Sequence, residues 1–292
     1  MKRCFSLLFF LFLSGCKDPC NIPAADRSYA MDCVRKQCEI VPRYVGSEGA
    51  GKTAVLIKDL VKKISPDIPV EIDSFQDKIS GEPVILRNVC ATIQGKNNSK
   101  PVILAAHYDT KKLELSPDFQ GANDGGSGVA VLLAVMKVLA EQKITFSFPI
   151  HFLFFDGEEC RLSYSREDGL HGSRKAAKDY RGRARAMILA DMVGDSDWHI
   201  SIPENSDPEL KKRALQAAAD LNMKDFVTAG ELTVLDDHVP FLEAGIPAID
   251  LIDFEYGPGN VFWHTPSDTV DQIDPESLGK TADLILRILT LL

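Results

Sequence analysis

The sequence predicts an α/β protein, a single three-layer αβα domain with a mixed, mostly parallel central sheet. Two observations carry this. Apolar runs at 102–107, 146–155, 186–190 and 248–252 lack the in-out alternation of half-buried strands, so they read as strands buried on both faces. Between them lie segments with apolar residues at helical spacing, such as Val129, Val131, Leu132, Val135 and Leu139 within 127–141. A chain of 292 residues, 45% of them apolar, can fill one large core, and no internal repeat or low-complexity tract divides it.

Taken in order, the first segment is not part of that core. Lys2 and Arg3 precede an apolar run at 5–13 that is too short to cross a bilayer, which is the pattern of an export signal. Leu13-Ser14-Gly15-Cys16 resembles a bacterial lipobox. That resemblance implies a signal peptide at 1–15, lipidation of Cys16 and a tether at 16–23, which leaves one folded domain at 24–292. The expected location is the bacterial envelope, on the periplasmic or outer-membrane side, with the lipid as the membrane partner. Lys17 after the cysteine leans toward the outer membrane. Helices are expected at 24–38 and 49–64, strands at 69–75 and 83–94, and further helices at 207–221, 239–244 and 275–291.

Charge and cysteines narrow the function classes. The formal net charge is −9 and becomes more negative once Lys2 and Arg3 leave with the signal, and no basic stripe is present, which argues against a nucleic-acid partner. Of seven cysteines, Cys4 leaves with the signal and Cys16 is taken by the lipid. One bridge among Cys20, Cys33 and Cys38 is expected in an oxidising compartment, and Cys90 reads as a buried thiol. No Cys-x-x-Cys pair offers a thiolate metal site.

The chemistry concentrates at strand ends. The apolar run 151–155 leads directly into Asp156-Gly157-Glu158-Glu159. Adjacent carboxylates at the end of a buried strand need a metal, a shared proton or an arginine to stay ionised. His107 and Asp109 close another strand, Asp124 precedes a helix, Asp191 closes a third strand, and His264 precedes the last helix. Ligands collect beyond the carboxyl ends of strands in such sheets. Imidazole and carboxylate donors suit zinc with a position left open for substrate. Asp109, two residues beyond His107, is placed to fix the tautomer of that imidazole. His171 and His238 read as loop-fixing residues, and Asn97-Asn98-Ser99 as a turn.

From Arg43 to the C-terminus these motifs resemble the M28 zinc exopeptidase superfamily, which contains aminopeptidases and animal-type glutaminyl-peptide cyclotransferases. The resemblance implies a zinc exopeptidase-like fold. It makes Asp124, Glu159 and His264 ligands of a zinc common to both groups, and Glu158 the general acid and base. His107 and Asp191 match the residues that hold a second zinc in the aminopeptidases, so one or two ions are implied. Tyr164, Asp168-Gly169-Leu170, His171-Gly172-Ser173-Arg174 and Asp236-Asp237-His238 are similar to the cyclotransferase pattern. In that pattern Asp236 bonds the reacting groups, while Trp263 and Tyr164 form the substrate pocket. Two departures stand out: Tyr164 replaces a usual Trp, and Asp250 takes the place of a His behind the pocket. The implied activity is conversion of an N-terminal Gln of peptides or proteins to pyroglutamate with loss of ammonia. The alternative is a two-zinc aminopeptidase acting on other free N-termini.

A rival motif comes from another class. Gly46-Ser-Glu-Gly-Ala-Gly51-Lys52-Thr53 satisfies the phosphate-loop pattern of nucleotide-binding proteins. Such a loop needs an inner strand before it, and Pro42 and Arg43 stand where that strand would run. The stretch is instead expected to lead into the first helix of the exopeptidase-like domain. A non-catalytic module that kept the fold is disfavoured, because unused buried carboxylates destabilise.

Overall fold

The computed structural model describes residues 22–79, 81–165 and 168–292. The expected signal peptide, Cys16 and most of the tether lie outside the described residues, as does Cys20. Cys33 and Cys38 are both free thiols. Cys90 is half-buried rather than buried, with its sulfur 3.9 Å from the Tyr180 hydroxyl.

In chain order the elements are α1 (Arg27–Cys38), α2 (Glu48–Ile64), β1 (Val70–Ile79), β2 (Glu82–Ile93), β3 (Val102–His107), α3 (Ser127–Glu141), β4 (Ile150–Phe155), α4 (His171–Tyr180), β5 (Ala186–Asp191), β6 (Ile200–Ile202), α5 (Pro208–Asp220), β7 (Val227–Ala229), α6 (His238–Glu243), β8 (Ala248–Ile252) and α7 (Pro275–Thr290). Eight strands form one sheet in the order β1-β2-β4-β3-β5-β8-β6-β7. The centre, β4-β3-β5-β8, is parallel, and antiparallel pairs lie on either side of it. The mixed sheet is therefore as expected.

The strand faces divide the core in two. Val102, Leu104 and Ala106 of β3 pack toward α1, α2, α3, α5 and α7, while Ile103 and Ala105 pack toward α4 and α6. Helix starts follow their caps: Asp26, Ser47, Asp207 and Asp274 each accept a first-turn N–H, and Pro208 and Pro275 open α5 and α7.

Several elements escaped the sequence reading. α4 buries only His171, Gly172, Ser173, Ala176 and Ala177, so its inner face is too small and polar to give an apolar stripe. β6 and β7 have three residues each, too few for any periodicity. β4 starts at Ile150 rather than 146, because Pro149 lies between it and the buried pair Phe146 and Phe148. No strand precedes the Gly46–Thr53 stretch among the described residues; Ser47 caps α2 and Lys52 pairs with Glu48 at 2.8 Å, which removes the phosphate-loop reading.

Candidate active site

Parallel β3, β4 and β5 release their chains at the same edge of the sheet, and that geometry brings the candidate residues together. His107 is the last residue of β3, Glu158 and Glu159 follow β4, and Asp191 ends β5. Asp124 comes from the loop ahead of α3, Asp236 from the loop ahead of α6, and His264 from the loop after β8.

Two donor triads share Asp124. His264 Nε2 lies 2.8 Å from Glu159 Oε1 and 3.1 Å from Asp124 Oδ2. His107 Nε2 lies 3.0 Å from Asp191 Oδ1 and 3.3 Å from Asp124 Oδ1. Within each triad the donor atoms are no more than 4.8 Å apart, so each could hold a metal ion. Asp124 and Glu159 are buried, and a nitrogen and two carboxylates converging away from water form a donor set suited to a borderline divalent cation. The two imidazoles hold Asp124 well below the usual carboxylate range despite its burial. Burial lowers the affinity of His107 for a proton, but Asp191, Asp109 and Asp124 outweigh it and hold the imidazole well above its ordinary pKa.

The turn after β4 separates the two glutamates. Gly157 sits at φ +78°, and a Cβ there would come within 2.5 Å of Leu86 Cδ2, so only glycine makes this turn without strain. Asp109 then receives the backbone N–H of Glu158 at 3.1 Å on one oxygen and that of Glu159 at 3.2 Å on the other. The expected role of Asp109 was to bond the His107 imidazole. In the structure the Asp109 backbone carbonyl is 3.1 Å from His107 Nδ1, the Asp109 carboxylate is 3.8 Å away, and that carboxylate holds the glutamate turn instead. The reason is steric order: β3 and β4 are neighbours, so a side chain just beyond β3 reaches the turn beyond β4.

Glu159 points into the first triad, while Glu158 faces the cavity. Burial pushes the Glu158 carboxyl well above its ordinary pKa; His107 opposes this, and Glu159, Asp236 and Asp237 add to it. Tyr164 places its hydroxyl 3.1 and 3.2 Å from the two Glu158 oxygens and 3.3 Å from Glu159 Oε2. Asp236 is buried near Glu158, and burial, Asp191 and Asp237 raise its carboxyl well above the usual range. Asp250 lies in β8, fully buried, raised in the same direction by burial, Asp236 and Asp191. Burial pushes the neighbouring His238 down to about 4.

These groups open onto one cavity of about 410 Å³. Its walls are largely apolar, with Met192, Val234, Leu235, Ile252, Phe254 and Trp263 facing Glu158, Asp236 and the first triad. The Trp263 indole stacks on His264 with centroids 4.2 Å apart and touches Phe254 at 5.1 Å. Every strand-end residue singled out in the sequence is thus brought to this cavity or directly behind it.

Three contributors were missed. Lys111 reaches Glu159 Oε2 at 3.4 Å and donates to the Cys160 carbonyl at 2.7 Å. Asp268 accepts the backbone N–H groups of Asn123 and Asp124 at 2.8 and 3.1 Å. Arg43, fully buried, donates to the carbonyls of Tyr108, Gln120 and Gly121. Only Arg43 left a trace in the sequence, as a charge where a strand would need an apolar residue.

Comparison with known proteins agrees with this geometry. Residues 88–289 match the description Peptidase family M28. A glutaminyl-peptide cyclotransferase of Drosophila melanogaster is 28% identical over 282 residues, spanning 86% of this chain and 77% of that one. An aminopeptidase of Bacillus subtilis is 32% identical over 213 residues, 68% of this chain and 43% of the other. The crystal structure of a glutaminyl cyclase from an Acidobacteriales bacterium superposes with a TM-score of 0.85 at 33% identity, covering 93% of this chain and 96% of that one. A shared motif set, a shared sheet and a match across most of its length together show that the chain belongs to peptidase family M28.

Proposed function

We propose that the protein is a zinc-dependent glutaminyl-peptide cyclotransferase that converts an N-terminal Gln to pyroglutamate and releases ammonia. The observation that carries this is the pairing, in one apolar cavity, of a proton-moving carboxylate with a second buried carboxyl and an aromatic wall: Glu158, Asp236 and Trp263. The Acidobacteriales and Drosophila relatives support the same reading.

Asp124, Glu159 and His264 would hold the zinc, since their donor atoms already converge. When bound there, zinc supplies a Lewis acid for the γ-carbonyl oxygen of the substrate. The remaining work falls to side chains. Cyclisation forms a bond from the α-nitrogen to the γ-carbon and breaks the bond from that carbon to the amide nitrogen. Glu158 takes the proton that the α-amine loses and returns it to the departing nitrogen, which leaves as ammonia. Asp236, whose carboxyl is pushed above the usual range by burial, orients the reacting groups by hydrogen bonding. Trp263 and Phe254 limit water in the cavity and so disfavour hydrolysis. Asp250 supports Asp236 from behind.

The second triad and the Bacillus relative favour one alternative, a two-zinc aminopeptidase with His107 and Asp191 holding a second ion. The two readings separate when metal-loaded protein meets a Gln-initiated peptide and a set of amino-acid anilides, with metal content measured alongside. Ammonia release without chain shortening is expected. Free amino acids and no pyroglutamate would reject the proposal. Glu158→Gln should abolish turnover and leave the zinc in place; retained turnover would remove Glu158 from its role. The proposal includes export and a lipid on Cys16, motivated by Leu13-Ser14-Gly15-Cys16. Incorporation of labelled fatty acid that persists in Cys16→Ser would refute that part.

A further inference from the structure

We infer that Tyr164 is a positioning residue for Glu158, acting through its hydroxyl rather than as a wall of the substrate pocket alone. The inference rests on the reading of Glu158 as the group that moves the proton. Among the described residues, the hydrogen bonds that reach the Glu158 carboxylate come from Tyr164, whose oxygen lies 3.1 Å from Oε1 and 3.2 Å from Oε2. Near-equal distances let one O–H serve either oxygen, both of them nearer to it than Glu159 Oε2 at 3.3 Å. The carboxylate keeps a donor whichever oxygen faces the substrate, and its plane is held toward the cavity.

The ring is fixed well enough to do this. Gly169 sits at φ +94° directly beneath it, where a Cβ would come within 2.8 Å of Tyr164 Cδ1. Lys111 Nζ lies over the ring, 5.5 Å from its centroid. The loop is closed on itself by Asp168, which accepts the N–H groups of Arg161 at 2.7 Å and Leu162 at 2.8 Å, while Ser165 N–H donates to the Asp168 carbonyl at 3.0 Å. The para position of a phenol is where the oxygen is needed, and an indole at the same place carries its N–H on another edge. The Tyr at 164, a departure from the usual Trp of the resembling enzymes, therefore has a chemical consequence of its own.

Steady-state kinetics of the full chain, wild type beside Tyr164→Phe, test this. The phenylalanine keeps the ring and removes one oxygen. The expected result is a fall in kcat of about ten- to a hundredfold, the scale of one hydrogen bond to a charged group, with KM within about twofold and zinc content unchanged. In a Glu158→Asp background, whose shorter carboxylate withdraws from the hydroxyl, adding Tyr164→Phe should cost less than about threefold, because the two residues act as one unit. Any of three results overturns the inference: kcat of the single variant within about twofold of wild type, a full and additive fall in the double variant, or a fall that tracks lost zinc. Wild type that cleaves anilides but releases no ammonia refutes the cyclotransferase reading alone, and the same comparison then runs on the anilide. Wild type that turns over neither substrate refutes both.

Discussion

Replacing Arg43 by Lys tests whether a buried guanidinium, rather than the metal ligands themselves, holds the metal loop in shape. Arg43 is fully buried and its bonds run to backbone carbonyls: Nε to Tyr108 at 3.1 Å, Nη1 to Gln120 and, at 3.5 Å, to Gln37, and Nη2 to Gly121. Those carbonyls flank His107 on one side and lead into Asp124 on the other, so one side chain ties the end of β3 to the loop before α3. Lysine keeps the charge but offers a tetrahedral ammonium in place of a planar fork, and it cannot reach three carbonyls spread around a plane. Each bond from a charged donor contributes about 1.5–3 kcal/mol, so losing two of them costs about 3–6 kcal/mol. Typical domains are stable by only about 5–15 kcal/mol, which makes this a large fraction. Urea unfolding followed through the buried Trp198 should show the loss as a lower midpoint, and chelator competition should show zinc affinity down by tenfold or more, at about 1.4 kcal/mol per factor of ten. A variant within about 1 kcal/mol of wild type, with zinc affinity within about twofold, would refute the reasoning and leave Arg43 as space filling.

Two further outcomes follow from burial and close approach. Asp253 is buried and its carboxyl is pushed up to about 7 by burial, with Asp195 adding and the His199 N–H opposing. In the unfolded chain it ionises near about 3.9, so from about pH 4 to about pH 7 the unfolded state holds fewer protons and stability falls as pH rises. Asp253→Asn removes that penalty and keeps an oxygen for the His199 N–H at 2.9 Å. The variant should therefore match wild type near about pH 4 and exceed it by up to about 4 kcal/mol near about pH 7 in paired urea melts; a difference that does not grow with pH counts against it. Gly128 starts α3 so close to β5 that a Cβ would lie 2.1 Å from the Ala190 carbonyl oxygen and 3.0 Å from Ala106 Cβ. Helix propensity favours Gly128→Ala by about 1 kcal/mol at most, whereas the backbone cannot yield, so a net loss of about 3 kcal/mol is expected and a thermal midpoint at or above wild type would refute the contact.

Much of the fold was legible because the central strands are buried on both faces. β3 and β5 are apolar up to their last residues and β8 is broken only by Asp250, the pattern of strands covered on both faces. What stayed hidden lacks that signature. α4 presents alanines and polar residues inward, and β6 and β7 are pinned by neighbours rather than by their own pattern. Periodicity reads the burial of large side chains and is blind where backbones approach closely enough that small ones suffice.

The candidate site divides along a similar line. Asp124, Glu158, Glu159, Asp191 and His264 were legible because each stands at a strand or helix boundary, where a carboxylate or imidazole has no reason to be buried unless something binds it. The supports were not, since Arg43, Lys111, Asp109 and Asp268 act on backbone atoms or on partners far along the chain, and the sequence gives spacing without proximity. Asp109 shows the difference most clearly. Its nearness in sequence to His107 suggested an imidazole partner, yet parallel pairing of β3 with β4 put it under the turn that splits the glutamates. Two adjacent like charges can have different surroundings only if their backbone is held so that one side chain meets the donor triad and the other the cavity. A single carboxylate from the neighbouring strand, taking both N–H groups at once, does that here. The different settings of Glu158 and Glu159 are thus a property of the sheet, written in the order of its strands rather than in the glutamate pair.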